Sequence, residues 1–231
     1  MTTTIIRQPG FFPYLGYFKK IQSCDIFVHY DDAQYSINDW DNRNKIRTMN
    51  GSRWITVPVK KPYKKKLFEV EIAYDENWIL KHKNIIKESY QNAPFFKDYW
   101  SDIEKIYDKK WNRLIDLNYE FIDYCNSILE INTKIVRSQD MKLNFTKSEK
   151  ILEICKKINA TTYISGEEGK NYLDEKLFLD SGIKILYEKF QYPTYKQYQK
   201  EFIPNMSIID LIFNEGPKSK RILQDSKNIT N

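Results

Sequence analysis

The sequence is short of the residues that usually announce a chemistry. Three cysteines, Cys24, Cys125 and Cys155, are scattered without CxxC spacing, and the only histidines are His29 and His82. So small and dispersed a set excludes a disulfide framework and a Cys/His zinc site, and an odd thiol count is what a reducing compartment tolerates. Glycine, at seven, and proline, at eight, are scarce among 231 residues, which excludes collagen-like and low-complexity classes. No apolar run reaches the roughly 18 to 20 residues of a membrane span, and the apolar stretch within residues 1–10 is too short for a secretory leader. The expectation is a cytoplasmic protein without membrane insertion. GxSxG, HExxH and GxxxxGK[ST] patterns are missing too, so no standard motif names a reaction, and no metal site is expected.

What the chain does have is 41% hydrophobic and 15% aromatic content, enough to bury a sizeable core. Lys plus Arg number 37 against 31 Asp plus Glu, a net +6. Five lysines fall in the single run Lys60 to Lys66 (KKPYKKK), so the excess is a local property. That run reads as a solvated loop or as a loop facing phosphates.

Residues 3–8 (TTIIRQ) are strand-like and stop at Pro9-Gly10, residues 14–21 carry a helical pattern, and residues 25–30 (DIFVHY) form an apolar run of strand length. This is a βαβ opening. Residues 31–50 read as a long ordered loop, 53–59 and 67–73 as strands flanking the lysine run, and 77–91 and 97–129 as amphipathic helices. Residues 133–137, 148–158, 161–165, 171–179 and 183–188 then alternate strand and helix. The pattern predicts an α/β fold, a mainly parallel Rossmann-like sheet with covering helices and a helical segment inserted around 75–130. A single domain over 1–224 is expected, with 225–231 a flexible tail.

His82 shares a helical face with Trp78, Ile85 and Ile86, so its imidazole turns inward. It reads either as a general base of tuned pKa or as a core histidine with a satisfied hydrogen bond. Asp31 and Asp32 follow the carboxyl end of the second strand, where open α/β sheets place ligands. They read as groups that orient a catalytic residue, hold a divalent cation against a diphosphate or bind sugar hydroxyls, or else as caps of local backbone amides. Ser165 and Gly166 open a stretch (SGEEGK) whose glycines free backbone N–H groups for phosphate. Residues 192–198 (YPTYKQY) set tyrosines beside an amide, suited to stacking on a sugar or base, or to anchoring a core.

Several stretches in order resemble the WbqC-like family: Gln8 to Phe18 (QPGFFPYLGYF), Asp31 to Tyr35 (DDAQY), Trp40 to Asn44 (WDNRN), Trp54 to Val59 (WITVPV) and His82. Tyr163 to Gly166 with Gly169 and Tyr172, Pro193 to Gln197 (PTYKQ) and Phe202 to Asp210 (FIPNMSIID) continue the likeness, which spans about Thr4 to Gly216. Phe12 and Ala33 depart from the family's Tyr and Val. The resemblance implies a place in surface polysaccharide, O-antigen-type, biosynthesis and action on a dTDP- or UDP-linked amino-deoxysugar. The implied reaction is N-acyl or N-aminoacyl transfer, for instance glycyl, to the sugar amine from acyl-CoA or aminoacyl-tRNA, with no resident cofactor. On that reading His82 is the base and Asp31 or Asp32 orients it. Gln8, Tyr14, Gln34, Tyr35, Trp40, Asn42, Arg43, Trp54, Ser165, Gly166, Tyr195 and Gln197 then hold the substrate. The opening is also similar to nucleotidylyltransferase-type α/β domains, with Pro13-Tyr14-Leu15-Gly16-Tyr17 where their signature histidines would stand. Two other readings stay open: an RNA- or tRNA-binding module using Lys60 to Lys66 and exposed aromatics, and a non-catalytic scaffold of the polysaccharide pathway. The oligomeric state is open, a homodimer included.

Overall fold

A computed structural model describes residues 1–199 and 201–230. The chain enters β1 (Thr3–Arg7), passes through α1 (Leu15–Gln22) into β2 (Ile26–His29), and then leaves the main sheet. Two hairpins follow, β3 (Arg43–Thr48) with β4 (Gly51–Thr56) and β5 (Val59–Lys60) with β6 (Glu71–Ile72). After them come α2 (Trp78–Tyr90), α3 (Phe96–Asp108) and α4 (Leu114–Leu129). The chain returns as β7 (Lys134–Arg137), α5 (Lys147–Lys157), β8 (Thr162–Gly166), α6 (Glu175–Asp180) and β9 (Lys184–Gln191), and ends with α7 (Ile208–Glu215), α8 (Lys218–Asp225) and β10 (Lys227–Thr230).

The main sheet runs β7-β2-β1-β8-β9-β10, parallel throughout except for β10, which is antiparallel on β9. Numbered by their own succession, these strands stand in the order 3-2-1-4-5-6, the doubly wound Rossmann arrangement. The expected α/β class with a mainly parallel sheet is therefore the one observed. A parallel sheet must be covered on both faces. Ile5, Phe27 and Ile164 pack with α1, α4 and α8, while Ile6, Val28, Tyr163 and Tyr187 pack with α5 and α6.

Departures from the sequence expectations have local causes. The stretch 31–50 contains β3, hidden because its buried residues include the polar Asn44 and Arg47 beside Ile46. The run 53–59 is broken at Pro58, which has no N–H to give a ladder, so β4 pairs back on β3 and β5 starts afresh. Residues 67–69 make a tight 3-10 turn before the short β6. The expected flexible tail carries β10, in register with β9 from Lys227 opposite Gln191 to Thr230 opposite Glu188; Asn231 lies outside the described residues.

Asp210, fully buried on α7, ties three distant segments together. Its carboxylate accepts hydrogen bonds from the hydroxyls of Tyr90 at 3.0 Å and Tyr195 at 2.6 Å, and from Gln197 Nε2 at 2.8 Å. Burial pushes its pKa up, and these donors oppose that shift. Replacing Asp210 with Ala leaves the donors unpartnered at roughly 1 to 3 kcal/mol each. We expect Asp210→Ala to lower unfolding stability in urea by about 3 to 6 kcal/mol; an unchanged midpoint would contradict this role.

Candidate functional site

In a sheet of this order the loops leaving the first and fourth strands diverge, and the crevice they open is where such folds take ligands. Here those strands are β1 and β8, and their carboxyl ends carry Arg7 and Gly166. Arg7 is exposed although it ends the central strand of the sheet. A Cβ on Gly166 would stand 3.4 Å from Arg7 Nη2, which places the guanidinium beside this glycine, and Gly166 has an ordinary φ of −69°.

Gly166 is in register with Glu188 of β9, which is buried and ion-paired with Lys20 of α1; the two side chains are 1% and 5% exposed. The other Glu188 oxygen accepts from Asn228 Nδ2 at 2.6 Å. Burial lowers the Lys20 pKa, the Glu188 charge opposes this, and the Arg7 charge adds to it. Lys20 satisfies Glu188, and Arg7, whose guanidinium stands beside Gly166, has no ion pair among the described residues. Tyr14 lies over Gly16, where a Cβ would come within 2.4 Å of its ring, and burial raises its pKa while Arg7 pulls it down.

The loop between β1 and α1 is strapped rather than glycine-rich. Asn118 Nδ2 donates to the carbonyls of Pro9 and Asp41, both at 2.9 Å, and Asn44 Nδ2 donates to those of Phe11 at 3.2 Å and Phe12 at 2.6 Å. These bonds hold Phe12 at a φ of +43°, a strained value for a bulky residue. A Cβ on Gly10 would meet the Trp40 carbonyl at 2.7 Å, so glycine is required there for close approach.

Asp31 and Asp32 are buried and fully engaged elsewhere. Asp31 accepts from the Tyr119 hydroxyl at 2.6 Å and the Gln139 backbone N–H at 2.9 Å, Asp32 pairs with Lys150, and Ser138 Oγ lies within hydrogen-bond distance of both. They clamp the end of β2 to β7, α4 and α5. His82 is not joined to them. Its Nδ1 lies 3.3 Å from the Tyr107 hydroxyl and its Nε2 3.1 Å from the Thr56 carbonyl, among the rings of Phe11 and Trp78. Burial pushes its pKa down to about 4, and that of His29, whose Nδ1 lies 3.1 Å from the Tyr17 hydroxyl, to about 3. The expected pairing of His82 with Asp31 or Asp32 is thus replaced by separate packing roles.

The other expected residues divide into groups. Gln8 and Gly166 stand with Tyr14 at the β1 and β8 ends, and Gln8 Nε2 lies 3.4 Å from the carbonyl of exposed Gln34. Ser165 turns to the opposite sheet face, against Gly169. Tyr35 is buried, with its N–H on the Lys65 carbonyl at 2.9 Å, and Asn42 Nδ2 donates to the Val57 carbonyl at 2.8 Å. Exposed Trp40, in the loop before β3, and exposed Trp54 cluster with half-buried Arg43 on the outer face of the β3–β4 hairpin. Tyr195 and Gln197 are consumed by Asp210.

Arg7, Lys20, Glu188 and Asp41 were not singled out by the sequence reading. The signal for the first three was a charge inside an otherwise apolar element, as in TTIIR and KILYEK. Asp41 is buried beside the strapped loop, and its pKa rises to about 6 through loss of solvation, against a hydrogen bond from the Ser36 N–H at 3.0 Å. All three cysteines are buried, which raises their thiol pKa values and removes them as nucleophiles. Among the described residues no cluster of three or more His, Cys, Asp or Glu could hold a metal ion, and no helix is long and apolar enough to cross a membrane. A shallow recess of about 720 Å³ between α6 and β9 lies at the amino end of that strand, away from this edge.

Fold and edge together define a Rossmann-order α/β protein with an open cationic position at its topological switch point. The chain belongs to the WbqC-like protein family, whose profile matches residues 8–222. It is 34% identical over 228 residues to uncharacterized protein Rv1507c of Mycobacterium tuberculosis (strain ATCC 25618 / H37Rv), which covers 97% of this chain and 98% of that protein. No solved structure matches the chain.

Depressed histidine values add stability that is fully present above about pH 6.5 and lost as the pH falls toward 4. Asp41, with a raised value, acts in the opposite sense between about pH 4 and 6, so total stability masks the effect. The imidazole resonances are the clean readout. We expect both to stay constant in NMR spectra between about pH 8 and 5.5, and a midpoint near 6.5 for either would refute their burial as neutral rings.

Proposed function

We propose that the protein is an enzyme that holds a nucleotide-linked amino-deoxysugar at the β1–β8 switch point and transfers an acyl or aminoacyl group to the sugar amine. The observation that carries the binding half is Arg7, a guanidinium with no acidic partner among the described residues, at the place where this strand order receives ligands. A guanidinium fits a diphosphate bidentately, and that of Arg7 stands beside Gly166 at the end of β8. The amino-sugar and acyl-transfer half rests on the family resemblance and on its setting in surface polysaccharide biosynthesis.

In the proposed step the amine attacks the acyl carbonyl of acyl-CoA or aminoacyl-tRNA and a C–N bond forms. The C–S or C–O bond of the donor breaks, and the amine proton passes to a base while the thiol or hydroxyl leaves protonated. Asp41 is our assignment for that base, in place of His82: Asn118 ties it to Pro9 of the β1–α1 loop, and burial raises its pKa to about 6. A base so tuned contributes roughly 10² to 10⁴ in rate.

The test is incubation with dTDP- and UDP-linked amino sugars and each donor class, read by mass spectrometry for an acyl mass shift, with sugar-nucleotide affinity measured by calorimetry. Arg7→Met is expected to weaken that affinity about tenfold or more, and Asp41→Asn to lower kcat at least a hundredfold with affinity kept. Absence of any acyl product and of sugar-nucleotide binding would sink the reading. Loss of turnover in a folded His82→Gln variant with Asp41→Asn active would return the base to His82.

A further inference from the structure

A second exposed feature lies outside that crevice. Trp40 and Trp54 are 48% and 37% exposed, with ring centroids 5.1 Å apart. The Arg43 Cζ sits 4.3 Å and the Lys45 Nζ 5.0 Å from the Trp54 centroid. The same pairing recurs in the lysine loop, where Lys64 Nζ lies 5.2 Å from the ring of Tyr63, itself 73% exposed. Hydrogen bonds join the two places. The Tyr35 N–H reaches the Lys65 carbonyl at 2.9 Å, and the Ser36 N–H reaches the carboxylate of Asp41, next to Trp40.

Leaving two tryptophans and a tyrosine partly in water forgoes burial worth more than most side chains offer, and cations over Trp54 and Tyr63, with Trp40 against Trp54, mark a surface suited to stacking under negative charge. Arg43, Lys45, Lys64 and Lys66 have no ion pair among the described residues, whereas Lys60 is 3.6 Å from Glu71. The acids nearby are already occupied: the Asp39 carboxylate takes the Trp40 N–H at 2.8 Å and Glu69 the Lys66 N–H at 2.9 Å. A featureless polyanion would use the cations and leave the rings idle. A duplex would hide its base faces. A single strand offers both phosphates and open rings.

We propose that the outer face of the β3–β4 hairpin together with the lysine loop binds single-stranded nucleic acid, bases stacking on Trp40, Trp54 and Tyr63 and phosphates meeting Arg43, Lys45 and Lys64. Its contact residues do not include Arg7, Gly166 or Asp41, although Trp40 and Arg43 flank Asp41 in the chain. Fluorescence anisotropy of labelled oligouridylate and oligothymidylate of about a dozen nucleotides tests it, and the pair separates RNA from DNA. Full-length protein is expected to bind with affinity that falls steeply with salt. Trp40→Ala/Trp54→Ala should weaken binding about tenfold or more, Trp54→Phe should keep most of it, and Lys45→Gln/Lys64→Gln should lower the salt slope by about 1 to 1.5.

These positions are exposed or, at Lys45, half-buried, so the variants should fold, and circular dichroism checks it. No binding at low salt, equal affinity for duplex and single strand, or tryptophan variants that bind as wild type would each overturn the proposal. So would a concentration-dependent dimer that Trp54→Ala abolishes. Arg7→Met separates the two readings, since it should impair sugar-nucleotide binding and leave oligonucleotide binding unchanged.

Discussion

The ion pair between Lys20 and Glu188 lies between a helix and the sheet with both side chains almost wholly out of water. Removing two charges from solvent costs several kcal/mol each, and their attraction offsets this only when partners and geometry are complete. Asn228 supplies the remaining hydrogen bond. Glu188 is satisfied from α1, and the guanidinium of Arg7 stands beside Gly166 without an ion pair among the described residues. The charge at the center of the carboxyl edge thus stands near a charge that is already neutralised.

The same requirement governs the rest of the buried polar groups. Asp31 and Asp32 are matched by Tyr119, Ser138, Gln139 and Lys150, and Asp210 by Tyr90, Tyr195 and Gln197. Each set joins elements distant in the chain, so these residues hold the edge of the sheet and the late helices in place. Both histidines are neutral for the same reason, loss of solvation with their ring nitrogens facing uncharged partners. Cations without an ion pair among the described residues include Arg7 at the carboxyl edge and, on the hairpins, Lys45, Lys64 and the half-buried Arg43, whose Nη2 donates to the Asn38 carbonyl.

Much of this fold is legible in the sequence because its signals are local. Apolar runs such as DIFVHY, separated by helical periodicity, give a parallel sheet without reference to tertiary contacts. The strand β3 was not legible, since Asn44 and Arg47 are buried for their hydrogen bonds rather than their hydrophobicity. Among candidate site residues, the structure gathers Gln8, Tyr14 and Gly166 at the β1 and β8 ends, while His82, Asp31, Tyr195 and Gln197 are engaged by buried neighbours. Sequence leaves both roles open for such residues, because a polar residue that binds a ligand and one that satisfies a buried neighbour have the same one-letter signature.

By itself the sequence determined the class of the fold, the reduced cysteines' dispersal and the concentration of lysine in one loop, all properties of composition and period. Tertiary structure decided which charges remain free. That choice depends on pairings such as Lys20 with Glu188 and Lys150 with Asp32, across 168 and 118 positions of chain, which chain folding alone brings within reach.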